Sequence, residues 1–263
     1  MTEPIEYLFE KNGIDLQNIK NIICGEKYIA VVLKNGQIGV CATLNNFVNI
    51  EPRDLQYPDI KNIQHRIVLN AYYNAVFNYT NNYNTKIDIF DKIDFKKYNN
   101  IIMVGFFRSL VEKFERENIK LTIFDKFESD PKLTDMSVQL NLVSQADALI
   151  LTSTSVFNNT FLELVTVTKN NCDVMMLGPS TIMSKEMFLY RNVKILFGSV
   201  FDQNDILTLK IIQAGGGTKQ FMPYMKKVFL KNKNDKSHNF LAVDNPSAKA
   251  DGKIEEKIIN NVN

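Results

Sequence analysis

Apolar residues at Ile5, Leu8, Phe9 and Ile14 recur at helical spacing and predict a helix at the start of the chain. The rhythm then changes. Residues 28–33 form a strand-like apolar run, Asn35-Gly36 is a preferred two-residue turn, and residues 37–44 return as the partner strand. Ile63, Ile67, Ala71 and Ala75 follow at four-residue steps, which predicts a helix over 60–79. Together these elements make an α–ββ–α cap of about 85 residues, small for a domain that folds alone. The Asn- and Tyr-rich stretch 79–84 closes it, so residues 1–85 are read as one unit.

From Asn99 onward the apolar residues come in short continuous runs. Ile101-Ile102-Met103-Val104, ending at Gly105, suits a strand buried on both faces of a parallel sheet. Leu110, Val111 and Phe114 alternate with Glu112, Lys113 and Glu115 as a helix would. Further strands are expected at 120–124, 148–151, 173–177 and 193–197, with helices at 137–145, 160–167, 184–188 and 203–212. Strands alternating with helices mean βαβ units, so residues 86–230 are read as a Rossmann-like parallel sheet flanked by helices. The expected strand order is 2-1-3-4-5, with its reversal between the first and third strands. Beyond residue 230 the chain is polar with little periodicity. Residues 231–263 are read as a flexible tail carrying one weak helical patch at 254–262.

Composition narrows the function classes. The formal net charge is +2, with 45% hydrophobic and 23% charged residues, an ordinary globular balance. A chain without a basic excess is not expected to bind nucleic acid. No apolar run approaches the ~18 residues of a membrane span, and Met1-Thr2-Glu3-Pro4 lacks the order of a signal peptide. A soluble, cytoplasmic protein is expected. The three cysteines, Cys24, Cys41 and Cys172, do not make a disulfide framework and read as small buried hydrophobes. No Cys-x-x-Cys or His-x-x-x-His occurs and there are two histidines, so a closed Cys/His zinc site is not expected.

Three segments carry candidate chemistry. They are Thr152-Ser153-Thr154-Ser155-Val156-Phe157-Asn158-Asn159-Thr160, Leu177-Gly178-Pro179-Ser180-Thr181, and Gly215-Gly216-Gly217-Thr218. In order and spacing they resemble the signature of the family named putative heavy-metal chelation. Gly36-x-x-Gly39 and Asn70-Ala71-Tyr72-Tyr73-Asn74-Ala75 are similar to that family's companion N-terminal domain. The resemblance covers residues from about 5 to 230. It implies an enolase N-terminal-like cap joined to a Rossmann-like domain, and a metal ion of open identity as the one cofactor. Ser153 and Asn159 depart from the pattern, standing where the family often has glycine. Asn159 tolerates positive φ, so the turn is expected to survive.

In open α/β sheets ligands bind beyond the carboxyl ends of the strands, where the order reverses. Gly105 and Phe106 would then face Thr152, Thr154, Ser155, Asn158 and Thr160 across a crevice, with Gly178, Pro179, Ser180 and Thr181 beside them. Phe107 and Leu110 occupy later glycine positions of a dinucleotide fingerprint, so that fingerprint is incomplete. Asp125, at the end of the second strand, is either a ribose-binding carboxylate or a helix cap. Thr160-Phe161-Leu162-Glu163 spells a capping box. Ser180 and Thr181 are either ligand contacts or the cap of a short helix. His65 reads as a helix-surface residue. No catalytic constellation appears, and whether a reaction is catalysed stays open.

Three functions fit these residues. One is a protein that binds a metal ion, a chelated metal or a metallocofactor precursor in the cleft between cap and Rossmann-like domain. The second is a Rossmann-type enzyme with a nucleotide-derived cofactor. The third is a non-catalytic adaptor subunit. The expected partner is a small-molecule or metal ligand, with homo-oligomerisation open and no nucleic acid or membrane.

Overall fold

The structure is a computed structural model that describes residues 1–80 and 88–232. The expected tail, apart from Lys231 and Asn232, lies outside the described residues, as does most of the Asn-rich boundary. The first helix is α1 (Pro4–Asn12), started by Pro4 in its first turn. The hairpin is β2 (Tyr28–Leu33) with β3 (Ile38–Ala42), and it is preceded by a strand that periodicity missed, β1 (Ile19–Cys24). The three pair antiparallel in the order β1-β2-β3. Between β2 and β3, Gly36 takes positive φ but Asn35 does not; Asn35 instead accepts from the Gln37 N–H. The connection is therefore a longer turn with one left-handed residue, not the two-residue turn expected. Helix α2 (Ile63–Phe77) crosses this sheet.

The second sheet is built from β4 (Ile101–Val104), β5 (Thr122–Phe124), β6 (Ala148–Thr152), β7 (Asp173–Leu177), β8 (Val193–Val200) and β9 (Lys226–Lys231). Its order is β5-β4-β6-β7-β8-β9. The first five strands are parallel and stand in the 2-1-3-4-5 order expected from sequence. The sixth, β9, adds antiparallel to β8 and was not anticipated. Its Lys-rich sequence hides one buried contact, Val228. Flanking helices are α3 (Arg108–Arg116), α4 (Gln139–Val143), α5 (Thr154–Phe157), α6 (Phe161–Val167), α7 (Ile206–Gln213) and α8 (Thr218–Phe221). The helix expected at 137–145 is split into a 3-10 turn and the short α4.

One apolar cluster runs through both sheets. It joins Ile5, Leu8, Ile29, Val31 and Leu69 to Ile102, Leu149, Val174 and Leu196. Two glycines permit this closeness. A Cβ at Gly39 would lie 2.0 Å from the Ala71 carbonyl oxygen on α2, and one at Gly25 would lie 1.9 Å from the Ile212 oxygen on α7. In the triple glycine after α7, Gly215 takes positive φ, and a Cβ at Gly216 would lie 2.5 Å from Ile211 Cγ2 of the helix itself. The Glu26 and Lys27 side chains lie beside Gly215 and Gly217, 3.4 and 3.3 Å from where a Cβ would stand.

A polar seam completes the joint. Asn70, Asn74 and Asn78 stand four residues apart, hence on one face of α2, and all are fully buried. Asn70 Nδ2 donates to the Ser180 carbonyl, and Asn74 Nδ2 donates to Pro179 and Thr181. Asn78 Nδ2 donates to Thr181 and Ser199, and its Oδ1 accepts from Met183 N. Asn78 is thus satisfied at both ends, whereas Asn70 Oδ1 finds no partner. Asn78→Ala should therefore cost about 2–4 kcal/mol, because in a dry seam it strands the Met183 N–H and takes a donor from each of the Thr181 and Ser199 carbonyls. Asn70→Ala should cost clearly less. Urea unfolding of both variants checks the ranking, and equal losses would overturn this account of the seam.

Candidate functional site

The carboxyl ends of β4, β6 and β7 come together as the strand order requires. Gly105 has φ +104°, and a Cβ there would lie 2.7 Å from the Thr152 Cβ. Gly178 has φ +136°, and a Cβ there would lie 2.4 Å from the Ser153 Oγ. Both glycines are needed for loop-against-loop packing. The Thr152 side chain occupies the space beside Gly105. Each loop is also pinned to the next strand. Gly105 N donates to Phe124 O, Ser153 N to Leu177 O, and Gly178 N to Phe197 O.

The predicted polar residues separate into two groups. Thr152, Thr154 and Asn158 are half-buried, and Thr160 is exposed. The Thr152 and Thr154 hydroxyls lie 3.0 Å apart. Ser155 is buried and donates to the Thr152 carbonyl. Ser180 and Thr181 are also buried. Ser180 Oγ accepts from Ala42 N on β3 at 2.9 Å. Neither residue caps the following 3-10 turn, a role taken by Ser184. Pro179 contributes its carbonyl to Asn74 and to Ser199. The 178–181 loop therefore faces the seam with α2, while Thr152, Thr154 and Asn158 stay partly open to solvent.

Asp125 is neither a helix cap nor an open carboxylate. Its Oδ2 accepts from Phe106 N at 2.8 Å, and its Oδ1 accepts from Phe127 N at 2.7 Å and Glu128 N at 3.0 Å. It ties the loop after β5 to the loop after β4. Phe106 is half-buried, and the Arg108 guanidinium lies 5.1 Å from its ring centroid. Two open hollows of about 340 and 330 Å³ occur elsewhere, one around Leu162, Val165 and Tyr190 and one around Phe90, Phe95 and Ile119. Neither is lined by a residue of these loops.

At Asn159 the backbone has φ +59°, the left-handed conformation that its glycine-like position demands. The capping box predicted next to it does not form. Thr160 Oγ1 donates to Asn158 Oδ1, and no side chain of Thr160 or Glu163 caps α6. Instead the Glu3 carboxylate, from the start of the chain, accepts from Leu162 N. Sequence spacing could not reveal a cap 159 residues away. Burial pushes the Glu3 carboxyl up to about 7, against the lowering effects of the Leu162 N–H and Arg66.

A sequence profile of the DUF364 family, described as putative heavy-metal chelation, matches residues 88–231. No curated protein matches the chain significantly. Two solved structures share the fold. A DUF364 protein of unknown function from Pyrococcus horikoshii has a TM-score of 0.69 at 19% identity, covering 81% of this chain and 93% of its own. A second, from Desulfitobacterium hafniense, has a TM-score of 0.68 at 17% identity, covering 87% of this chain and 98% of its own.

The family description implies a metal, and the donors on hand can be tested against it. Among the described residues no group of three or more His, Cys, Asp and Glu side chains could hold an ion. Burial pushes the Cys41 thiol up and the Cys172 thiol up to about 12, so both stay protonated and poor as ligands. His65 uses Nδ1 to accept from Asp59 N, which leaves the proton on Nε2. The buried oxygens without partners, Asn70 Oδ1, Asn74 Oδ1 and Thr181 Oγ1, are hard donors. This donor set does not fit a bare, soft heavy-metal ion.

Two outcomes follow for the 158–162 corner. Thr160→Ala should change stability by less than about 0.5 kcal/mol, since no cap is lost; a loss near 1 kcal/mol on thermal melting would restore the capping box. Glu3 has a folded pKa above its unfolded value, so the stability it lends is fully present below about pH 4.5 and is lost as pH rises toward 7. Glu3→Gln keeps the acceptor for Leu162 N and removes the titration. Stability measured from pH 4.5 to 8 should therefore fall less steeply in Glu3→Gln than in the parent, and identical slopes would rule Glu3 out as the titrating group.

Proposed function

The chain belongs to the DUF364 family, and from that premise we propose that it binds a metal in chelated form, as an anionic complex or metallocofactor precursor, at the crevice mouth between β4 and β6. The observation that carries this reading is the character of the side chains that stay partly or wholly exposed there. They are the hydroxyls of Thr152 and Thr154, the amide of Asn158 and the exposed guanidinium of Arg108, the last paired only loosely with Asp130 at 3.6 Å. Hydroxyl, amide and guanidinium groups bind the oxygens of a carboxylate shell. They do not strip a soft ion of its ligands. The complex would bring its own chelating atoms, which reconciles the family description with a chain poor in thiolate and imidazole donors.

A nucleotide-dependent enzyme is less well supported. Both Asp125 oxygens are engaged by backbone N–H groups, and a ribose would have to displace them. The cap and the 178–181 loop serve, in this reading, to hold β7 and β6 in place behind the site. Cap (1–85) and Rossmann-like unit (86–230) would then act as one body.

Calorimetry on the full chain tests the reading with ferric citrate as the anionic complex and with zinc, cobalt, nickel and copper ions as bare metals. Ferric citrate should bind well below 1 mM and the four ions no more tightly than about 1 mM, near −4 kcal/mol. Thr154→Val and Asn158→Ala should each weaken the complex by about 1–3 kcal/mol, the cost of an unmet polar partner. Micromolar binding of a bare ion, or complex binding indifferent to both substitutions, would overturn the proposal.

A further inference from the structure

The second sheet ends beside an apolar hollow. Strand β9 runs antiparallel to β8, so it finishes beside the start of that strand, with Lys231 opposite Ile195 and Asn232 N donating to the Lys194 carbonyl at 2.9 Å. Arg191 stands three residues before Lys194, at most roughly 10 Å along the chain. It borders the open hollow of about 340 Å³, whose walls include Leu162 and Val165 of α6 together with Met1, Leu189 and Tyr190. Met1 is 67% exposed and Leu189 55%, so this apolar lining is open to solvent. Arg191 is also exposed, and its guanidinium donates to Asn170 Oδ1, a neutral acceptor. The sequence after Asn232 is polar up to Phe240-Leu241-Ala242-Val243, and Asp244 follows this run directly. The family profile stops at residue 231, short of the run.

We propose that Phe240-Leu241-Ala242-Val243 docks in this hollow of its own chain, with Asp244 against the Arg191 guanidinium. Phe240 lies eight residues beyond Asn232, a reach of roughly 26–29 Å when extended. That tether spans the gap and holds the run at an effective concentration on the order of millimolar. A contact too weak between free partners is then populated within one chain. Size points the same way. A handful of residues lines the hollow, against the roughly 20–30 a side of a stable dimer interface, so it fits one short segment and not a second copy. Charge fixes the direction, because a carboxylate directly after the apolar run meets a guanidinium on the rim. The later apolar positions, Ile254, Ile258, Ile259 and Val262, spread over nine residues. A helix of that length spans roughly 13 Å and would leave part of its apolar face uncovered here. The hollow lies away from the carboxyl ends of the strands, so this docking is independent of ligand binding at the crevice.

Chymotrypsin cleavage of the native full-length chain, with fragments identified by mass, tests the docking. Cleavage after Phe240 and Leu241 should be at least tenfold slower than in a free peptide of residues 233–250. Leu189→Asp, at an exposed wall position, should raise it to the peptide's rate while circular dichroism matches the parent. Asp244→Lys should raise it several-fold when compared with a peptide carrying the same change, and adding Arg191→Asp should restore the protection. Removing residues 254–263 should change nothing. Cleavage of the parent at the peptide's rate overturns the proposal. Protection that survives Leu189→Asp puts the run somewhere other than the hollow and overturns it too. Loss of protection on removing residues 254–263 makes the later segment the occupant in place of this one. Protection that grows with protein concentration assigns the run to a second copy and overturns docking within one chain. A charge swap that restores nothing overturns the pairing of Asp244 with Arg191.

Discussion

The buried amides of Asn70, Asn74 and Asn78 hold a stretch of irregular backbone that could not otherwise lie inside the protein. Beyond Gly178 the loop after β7 leaves the sheet ladder, and buried carbonyls without donors are costly. Helix α2 supplies those donors from a single face, reaching Pro179, Ser180, Thr181 and Ser199. The first sheet adds one more bond through Ala42 N and Ser180 Oγ. Everything else about the joint follows from that contact. Gly39 lets α2 settle on β3, the apolar cluster becomes continuous across both sheets, and the first sheet is braced against the loop after β7.

How far the sequence could be read depended on where each element sits. The inner strands of the parallel sheet were legible because burial on both faces leaves them as unbroken apolar runs, and their order followed from two strands preceding three. The two strands that escaped notice, β1 and β9, are sheet edges. Lys20 and Asn21 in one, Lys226 and Lys227 in the other, are exposed, and such mixed sequences carry little strand signal. Helix α2 was legible as a helix but not as a clamp. Its residues from Arg66 to Ala75 are all buried, so it has no solvent face against which the asparagines would stand out.

The candidate site was legible in outline for a similar reason. Small polar residues at strand ends signal loops that turn sharply and bind something, but not what they bind. For Ser155 and Ser180 the partner is the chain's own backbone. For Asp125 it is three backbone N–H groups, which turns a predicted ligand contact into a brace for the loops around it. Thr152, Thr154 and Asn158 differ from Ser155 and Ser180 in exposure, a property of the assembled fold and not of the local sequence.

This division of labour bears on how binding at the crevice would proceed. The backbones of all three loops are bonded to neighbouring strands, through Phe124, Leu177 and Phe197. The glycines at 105 and 178 lock them against Thr152 and Ser153, in conformations that other residues rarely adopt. A ligand arriving at the mouth therefore meets fixed backbone and a few adjustable side-chain tips, among them the hydroxyls of Thr152 and Thr154 and the guanidinium of Arg108. Ordering a loop is one of the larger costs of association, and here that cost is met during folding. What remains is the desolvation of a few polar groups. That balance favours a rigid ligand whose shape already matches the loops over a flexible one that must be organised on arrival.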